Sequence, residues 1–273
     1  MDLDLDVVID SPSYSVEMKS GLKTLLGASD AVTTISQTIL TGTIPEKKTY
    51  RSSVRTRLKE SFDGSFGQIF SLEITDEELK KAYREIGWQV FTELISYFLN
   101  NSVYKETENL SQKAQEIIKG LGEKSDKLSA QVRQSAMKNL HDTSIKFNYD
   151  VKLRFRKNRD EQSVLARFDR ETGKTLEAKR SREEVEISAG VTRFNINTGN
   201  GRLQLFGEKE TTAFGFDTKY KLINYDSKKV FSENLDKNNG VDPENMAYLT
   251  FTANPIKLRD GKVVKYIITG TYD

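Results

Sequence analysis

The residues in this chain whose types and spacing could do chemistry are cations and aromatics, not nucleophiles. Lys152, Arg154 and Arg156 alternate with Val151, Leu153 and Phe155, in a run that extends back through Phe147 and Tyr149. A strand with that alternation carries its apolar side chains on one face and a basic strip on the other. Such a strip can track phosphates; it can equally be a solvated face that discourages pairing at a sheet edge. Charged residues continue through Lys157, Arg159, Arg167, Arg170, Lys174, Lys179, Arg180 and Arg182, interleaved with nearly as many acids. A second group is Arg193, Phe194 and Arg202. Phe194 lies three residues from Val191, on the opposite side of a regular strand, where its ring would be open to stacking on a base. Arg193 and Arg202 can stack through their guanidinium planes and pair with phosphate.

Other chemistries find little support. Asp2, Asp4 and Asp6 share one face of an opening strand that also carries Leu3, Leu5 and Val7. No distant histidine or carboxylate pattern joins them as metal ligands, so a solvated strand face is the expectation. His141 is the only histidine, which rules out a site of two histidines, and no serine or aspartate motif makes it a triad base. The chain has no cysteine, hence no disulfide, thiol nucleophile or thiolate-bound zinc. Walker, Gly-x-Gly-x-x-Gly and Gly-x-Ser-x-Gly sequences are absent. The expectation is a protein without catalytic residues, cofactor or metal, the alternative being an enzyme whose scattered carboxylates converge only in the fold.

The elements that must position these groups fall into two halves. The 273 residues can form one large or two small domains, with 36% hydrophobic and 30% charged residues and a net charge of +2. So balanced a charge argues against a surface built wholly for nucleic acid. After the opening strand, Leu22, Leu25, Leu26, Val32, Ile35 and Ile39 recur at helical spacing from about Ser20 to Leu40, with Gly42 as a stop. Val54–Glu60 and Phe66–Ile74 read as a hairpin turned at Asp63-Gly64. Thr75 then caps one long helix to about Asn101, whose Leu79, Tyr83, Ile86, Val90, Leu94 and Phe98 are flanked by Trp88, Phe91, Ile95 and Leu99. That breadth predicts a core helix, or a groove for a protein partner. Helices are expected at about Leu110–Gly120 and Ser125–Asp142, before the strand ending at Phe155.

Beyond it, Val164–Phe168 and Lys174–Glu177 are expected to pair around Glu171-Thr172-Gly173. Val185, Ile187, Ala189 and Val191 alternate with polar or small residues, and Leu203 and Leu205 resume the inward face after Gly199 and Gly201. Thr211–Phe216 is a strand with Phe214 and Phe216 inward, and Asp236–Pro243 is an exposed loop. Tyr248–Ala253 and Val263–Tyr272 close the chain around Asp260-Gly261. Five strands in this order suit a small barrel.

Two resemblances add to this. Val191, Thr192, Arg193, Phe194 and Asn195, followed three residues later by Gly199, Asn200, Gly201, Arg202 and Leu203, resemble in spacing the first hairpin of cold-shock domains, which are small OB-type barrels. Arg193, Asn200 and Arg202 stand where that family places stacking aromatics, so the resemblance implies a barrel hairpin more than a nucleic-acid platform. The opening strand, the helix ending in Leu40-Thr41-Gly42 and the strand pair around Gly64-Ser65-Phe66 are similar to a set of bacterial proteins without an assigned activity. Those pair such a half with a β-rich C-terminal half, which implies architecture and bacterial origin.

The reading is an α+β chain: residues 1–145 a mixed α+β domain with a long central helix, residues 146–273 a mostly antiparallel, OB-like barrel domain. Functionally it predicts a cytoplasmic interaction or scaffold protein with a protein partner or a second copy of itself. Binding of single-stranded nucleic acid through Lys152, Arg154, Arg156, Arg193, Phe194 and Arg202 is the alternative. The acidic start is no signal peptide and no apolar run reaches membrane-spanning length, so no membrane association is expected.

Overall fold

Strand β1 (Asp2–Ile9) turns Leu3, Leu5, Val7 and Ile9 to one side and Asp4, Asp6 and Val8 to the other, and the N-terminal fold is built on that division. Leu3, Leu5, Val7 and Ile9 are buried in a large hydrophobic core. β1 lies centrally in a five-stranded sheet ordered β2-β3-β1-β4-β5, with β2 Val54–Phe62, β3 Phe66–Ile74, β4 Val151–Arg156 and β5 Gln162–Phe168, every pairing antiparallel. The computed structural model describes residues 2–46, 49, 51–62 and 66–272; the turn expected at Asp63-Gly64, with Ser65, lies outside them.

Helices cover the apolar face. Helix α1 (Met18–Thr41) buries Ala28, Ala31, Val32 and Ile35, and α3 (Trp88–Asn101) buries Phe91, Leu94, Ile95, Phe98 and Leu99. The single long helix expected over this region is two. Helix α2 (Glu77–Ile86), capped by Asp76 rather than Thr75, stops at Gly87, whose φ of 85° no helical residue can adopt. Four helices follow: α4 (Gln112–Leu121), α5 (Glu123–Gln134), α6 (Ala136–Leu140) and α7 (Asp142–Phe147). The helix expected over Ser125–Asp142 is thus broken at Ser135 and His141. α6 crosses α1 closely: a Cβ on Gly27 would lie 2.2 Å from the Leu140 backbone nitrogen.

Two expectations fail around the domain boundary. The alternating run from Phe147 does not begin a new domain, because Val151–Arg156 pairs with β1, and the compact units are Met1–Leu176 and Glu177–Asp273. Alternation identifies a strand but not the sheet that receives it. The turn expected at Glu171-Thr172-Gly173 is instead helix α8 (Arg170–Lys174). There Asp169 and Thr172 form a reciprocal capping box, the local bonding that wins over a hairpin.

The second unit is a closed five-stranded barrel of OB-like type. After the short strand β6 (Lys179–Arg180) come β7 (Val185–Phe194), β8 (Gly201–Leu205), β9 (Thr211–Phe216), β10 (Leu249–Lys257) and β11 (Val263–Tyr272). They close in the order β7-β8-β9-β11-β10-β7, with β9 and β11 parallel and the others antiparallel. Helix α9 (Tyr225–Asn238) precedes β10 and includes the first residues of the loop expected at Asp236–Pro243. Its Phe231 is fully buried and packs on Phe194, Phe214, Phe216 and Phe251 at centroid distances of 4.9–5.6 Å.

The sheet of the first unit supplies a test. Asp6 has no exposed surface and takes Arg154 through both carboxylate oxygens, at 2.7 and 2.9 Å, and Arg156 at 2.7 Å. Asp6→Ala leaves two cations without their counter-charge, and a loss of about 3–5 kcal/mol in urea unfolding is expected. Lys152→Ala, which opens the partly exposed pair to Asp10, should cost no more than about 1 kcal/mol.

Candidate binding surfaces

The six cationic and aromatic residues singled out in the sequence divide between the two units. Lys152, Arg154 and Arg156 belong to the first unit; Arg193, Phe194 and Arg202 belong to the second. The basic strip is also internally neutralised. Lys152 pairs with Asp10 at 2.6 Å, and the two arginines clamp Asp6 while lying over the Phe62 ring at 5.6 and 5.2 Å. Asp4 and Asp6 of β1 are therefore ion-pair partners: Asp4 accepts from Lys59 at 2.7 Å. Among the described residues no three histidine or carboxylate side chains converge as metal ligands.

Phe194 is not an outward platform. The β7–β8 pairing runs in register through Val191↔Leu203, then resumes at Arg193↔Arg202 with Thr192 as the extra residue. This bulge shifts the alternation by one. Phe194 consequently turns inward, 6.1 Å from Phe214, 5.6 Å from Phe231 and 5.9 Å from Tyr220. Phe214 and Phe216 also lie in this cluster, as their spacing predicts. The Val191 amide donates to Asn234 Oδ1 of α9 at 2.7 Å, and Asn234 and Asn238 both donate to the Ala247 carbonyl.

The same bulge brings cations into register outside the barrel. Arg193 pairs with Arg202, Arg202 with Ala213 and Ala213 with Lys265, one lateral row across β7, β8, β9 and β11. At ~4.8 Å per strand the row spans ~14 Å. The residues that follow Arg202, Ala213 and Lys265 in the chain are Leu203, Phe214 and Tyr266, all buried inward, so the row itself lies on the outer face. Arg202 is held by the Thr211 hydroxyl and carbonyl, both at 2.6 Å. Lys265 donates to Asn200 Oδ1 at 3.0 Å, across Gly215, where a Cβ would come within 2.7 Å of that oxygen. Gly201 meets a second close approach, because a Cβ there would lie 2.1 Å from the Arg193 carbonyl. Lys265 was not legible as a site residue: it enters the row through the parallel β9–β11 pairing, far from the hairpin in sequence.

A second concave feature lies in the first unit: a cavity of about 410 Å³ lined by Leu3, Asp4, Tyr83, Arg84, Gly87, Trp88, Phe155, Arg156 and Lys157. Trp88 is 38% exposed and stacks on Phe155 with centroids 5.1 Å apart and planes 26° off parallel.

No protein-family model, curated protein or solved structure matches the chain. No helix among the described residues is long and apolar enough to cross a membrane.

His141 takes a structural place. It is fully buried, with Nδ1 2.8 Å from the Met137 carbonyl and Nε2 3.1 Å from the Thr172 hydroxyl. Because a carbonyl only accepts, Nδ1 carries the proton and Thr172 faces the Nε2 lone pair. Burial pushes its pKa down to about 4 from 6.5. With a folded pKa below the unfolded one, the unfolded state takes up the proton first. Stability is then complete above about pH 6.5 and falls as the pH drops towards 4. Urea unfolding should lose about 1.5 kcal/mol between pH 6.5 and pH 5, where carboxylates contribute little. A flat profile over that window would overturn the assignment.

Proposed function

We propose that this chain is a binding protein rather than an enzyme, and that its barrel engages single-stranded nucleic acid through the outer face of β7, β8, β9 and β11. The observation that supports the reading most is the row Arg193–Arg202–Ala213–Lys265, in register across four adjacent strands. A small residue beside long cations lets a phosphate backbone approach the sheet, while the guanidinium planes bring positive charge to it. The barrel class supports it too, since OB-type barrels bind oligonucleotides on this face. With Phe194 inside, base stacking falls to the guanidinium planes, so recognition rests on backbone charge more than on bases.

Fluorescence anisotropy with a labelled single-stranded oligonucleotide tests this across a salt series. Binding should weaken steeply with salt, and Arg202→Ala should lower the salt slope by about one contact. Ala213→Glu, which sets a carboxylate in the row, should abolish binding while the barrel stays folded. Absence of binding by the wild-type chain at low salt would end the reading.

One observation favours a second reading, self-association. Aromatics of the Thr75–Asn101 region do not support it, because Phe91 and Phe98 are core residues. On α1, however, Met18, Leu22 and Leu26 stand four residues apart and are exposed by 77%, 55% and 52%, with Tyr14 exposed before the helix. An exposed apolar stripe of this kind suits burial against a second copy. Multi-angle light scattering should give a dimer that Leu22→Glu converts to monomer; a monomeric wild type would exclude it.

A further inference from the structure

The cavity beside Trp88 has a composition that neither the barrel nor the apolar stripe uses. Its aromatic wall is the Trp88 indole backed by Phe155, a ring held flat by stacking and left partly open to solvent. Its polar rim carries Arg84, Arg156 and Lys157 against one carboxylate, Asp4. Asp4 is already engaged by Lys59, Arg156 by Asp6, and Lys157 by Glu161 at 2.9 Å. Arg84 donates from Nε to the Lys80 carbonyl at 3.2 Å and its charge acts on the Glu77 carboxyl, while its two terminal nitrogens are further donors an anion could take. The notch exists because α2 and α3 break at Gly87, where no side chain fills the space: the nearest heavy atom to a Cβ there would be 3.9 Å away.

A flat ring to stack on, a cationic rim and a volume within the range of small-molecule sites select a ligand that is planar at one end and anionic at the other. We infer that this cavity binds a nucleoside phosphate, its base stacked on Trp88 and its phosphate held by Arg84. The inference lies within the first unit and stands apart from the barrel reading.

Trp88 is the only tryptophan in the chain, so its emission reports on this cavity alone. The full-length protein is titrated with AMP, GMP, CMP and UMP, with adenosine and with inorganic phosphate, and calorimetry is run in parallel. At least one nucleotide should quench the emission saturably, and adenosine should bind about tenfold more weakly or worse for lack of the charged contact. Arg84→Ala should weaken the nucleotide by a similar factor with an unchanged circular dichroism spectrum. Trp88→Phe, which keeps an aromatic ring, should retain calorimetric binding better than Trp88→Ala. Absence of saturable response to every nucleotide, an equal response in Arg84→Ala, or a response to phosphate alone as strong as to nucleotide would each overturn the inference. Quenching by a single-stranded oligonucleotide but by none of the mononucleotides would likewise overturn it, in favour of polymer binding.

Discussion

Asp6 sits on the central strand of the first sheet with none of its surface in solvent, where a carboxylate persists only if counter-charge comes with it. The counter-charge is Arg154 and Arg156, nearly 150 residues later in the chain and adjacent in space because β4 lies antiparallel beside β1. The whole helical layer from α1 to α7 is thus enclosed between two strands whose pairing carries a buried ion cluster. Apolar contacts alone would tolerate a shift of β4 by two residues, since Val151, Leu153 and Phe155 repeat at that period. Because Lys152, Arg154 and Arg156 share that period, such a shift would bring a different cation opposite Asp6 in place of Arg154. The Asp6–Arg154 pair belongs to the observed register of β4, the strand that also bears Phe155, on which Trp88 stacks.

In the barrel the corresponding constraint is aromatic. Phe231 descends from α9 among four phenylalanines, and these side chains fill the interior that five short strands enclose. Filling it required Phe194 to point inward, which the bulge at Thr192 accomplishes. The same extra residue turns Arg193 outward beside Arg202. One irregularity thus both completes the core and sets two cations side by side on the surface.

The two surfaces differ in what their geometry can recognise. The row on the barrel is extended and lacks a stacking ring, a form suited to a repeating anion. The notch beside Trp88 is concave and pairs one partly exposed ring with a few cations, a form suited to one small molecule. Clamped as they are by Asp6, the arginines of β4 contribute rigidity to the sheet more than charge to solvent, although Arg156 reaches the rim of the notch.

Periodicity by itself determined the types of many elements of this protein, though not of α8 or α9. The alternation of β1 and β7, the helical spacing of α1 and the inward Phe214 and Phe216 all follow from residues near one another, and so do the individual strands of the barrel, but not the β7–β10 and β9–β11 pairings that close it. Short-range competition decided several boundaries that pattern left open: Gly87 divided one apolar helix into two, and the Asp169–Thr172 capping box replaced a hairpin. Tertiary structure alone decided which sheet received Val151–Arg156, because hydrogen-bond partners of a strand are not encoded in its own alternation. It alone turned Phe194 inward, brought Lys265 beside Ala213 and assembled Trp88, Phe155 and Arg84 around one cavity. Each depends on a bulge, a parallel pairing or a helix break that joins residues distant in the chain, where spacing along the sequence no longer measures distance in space.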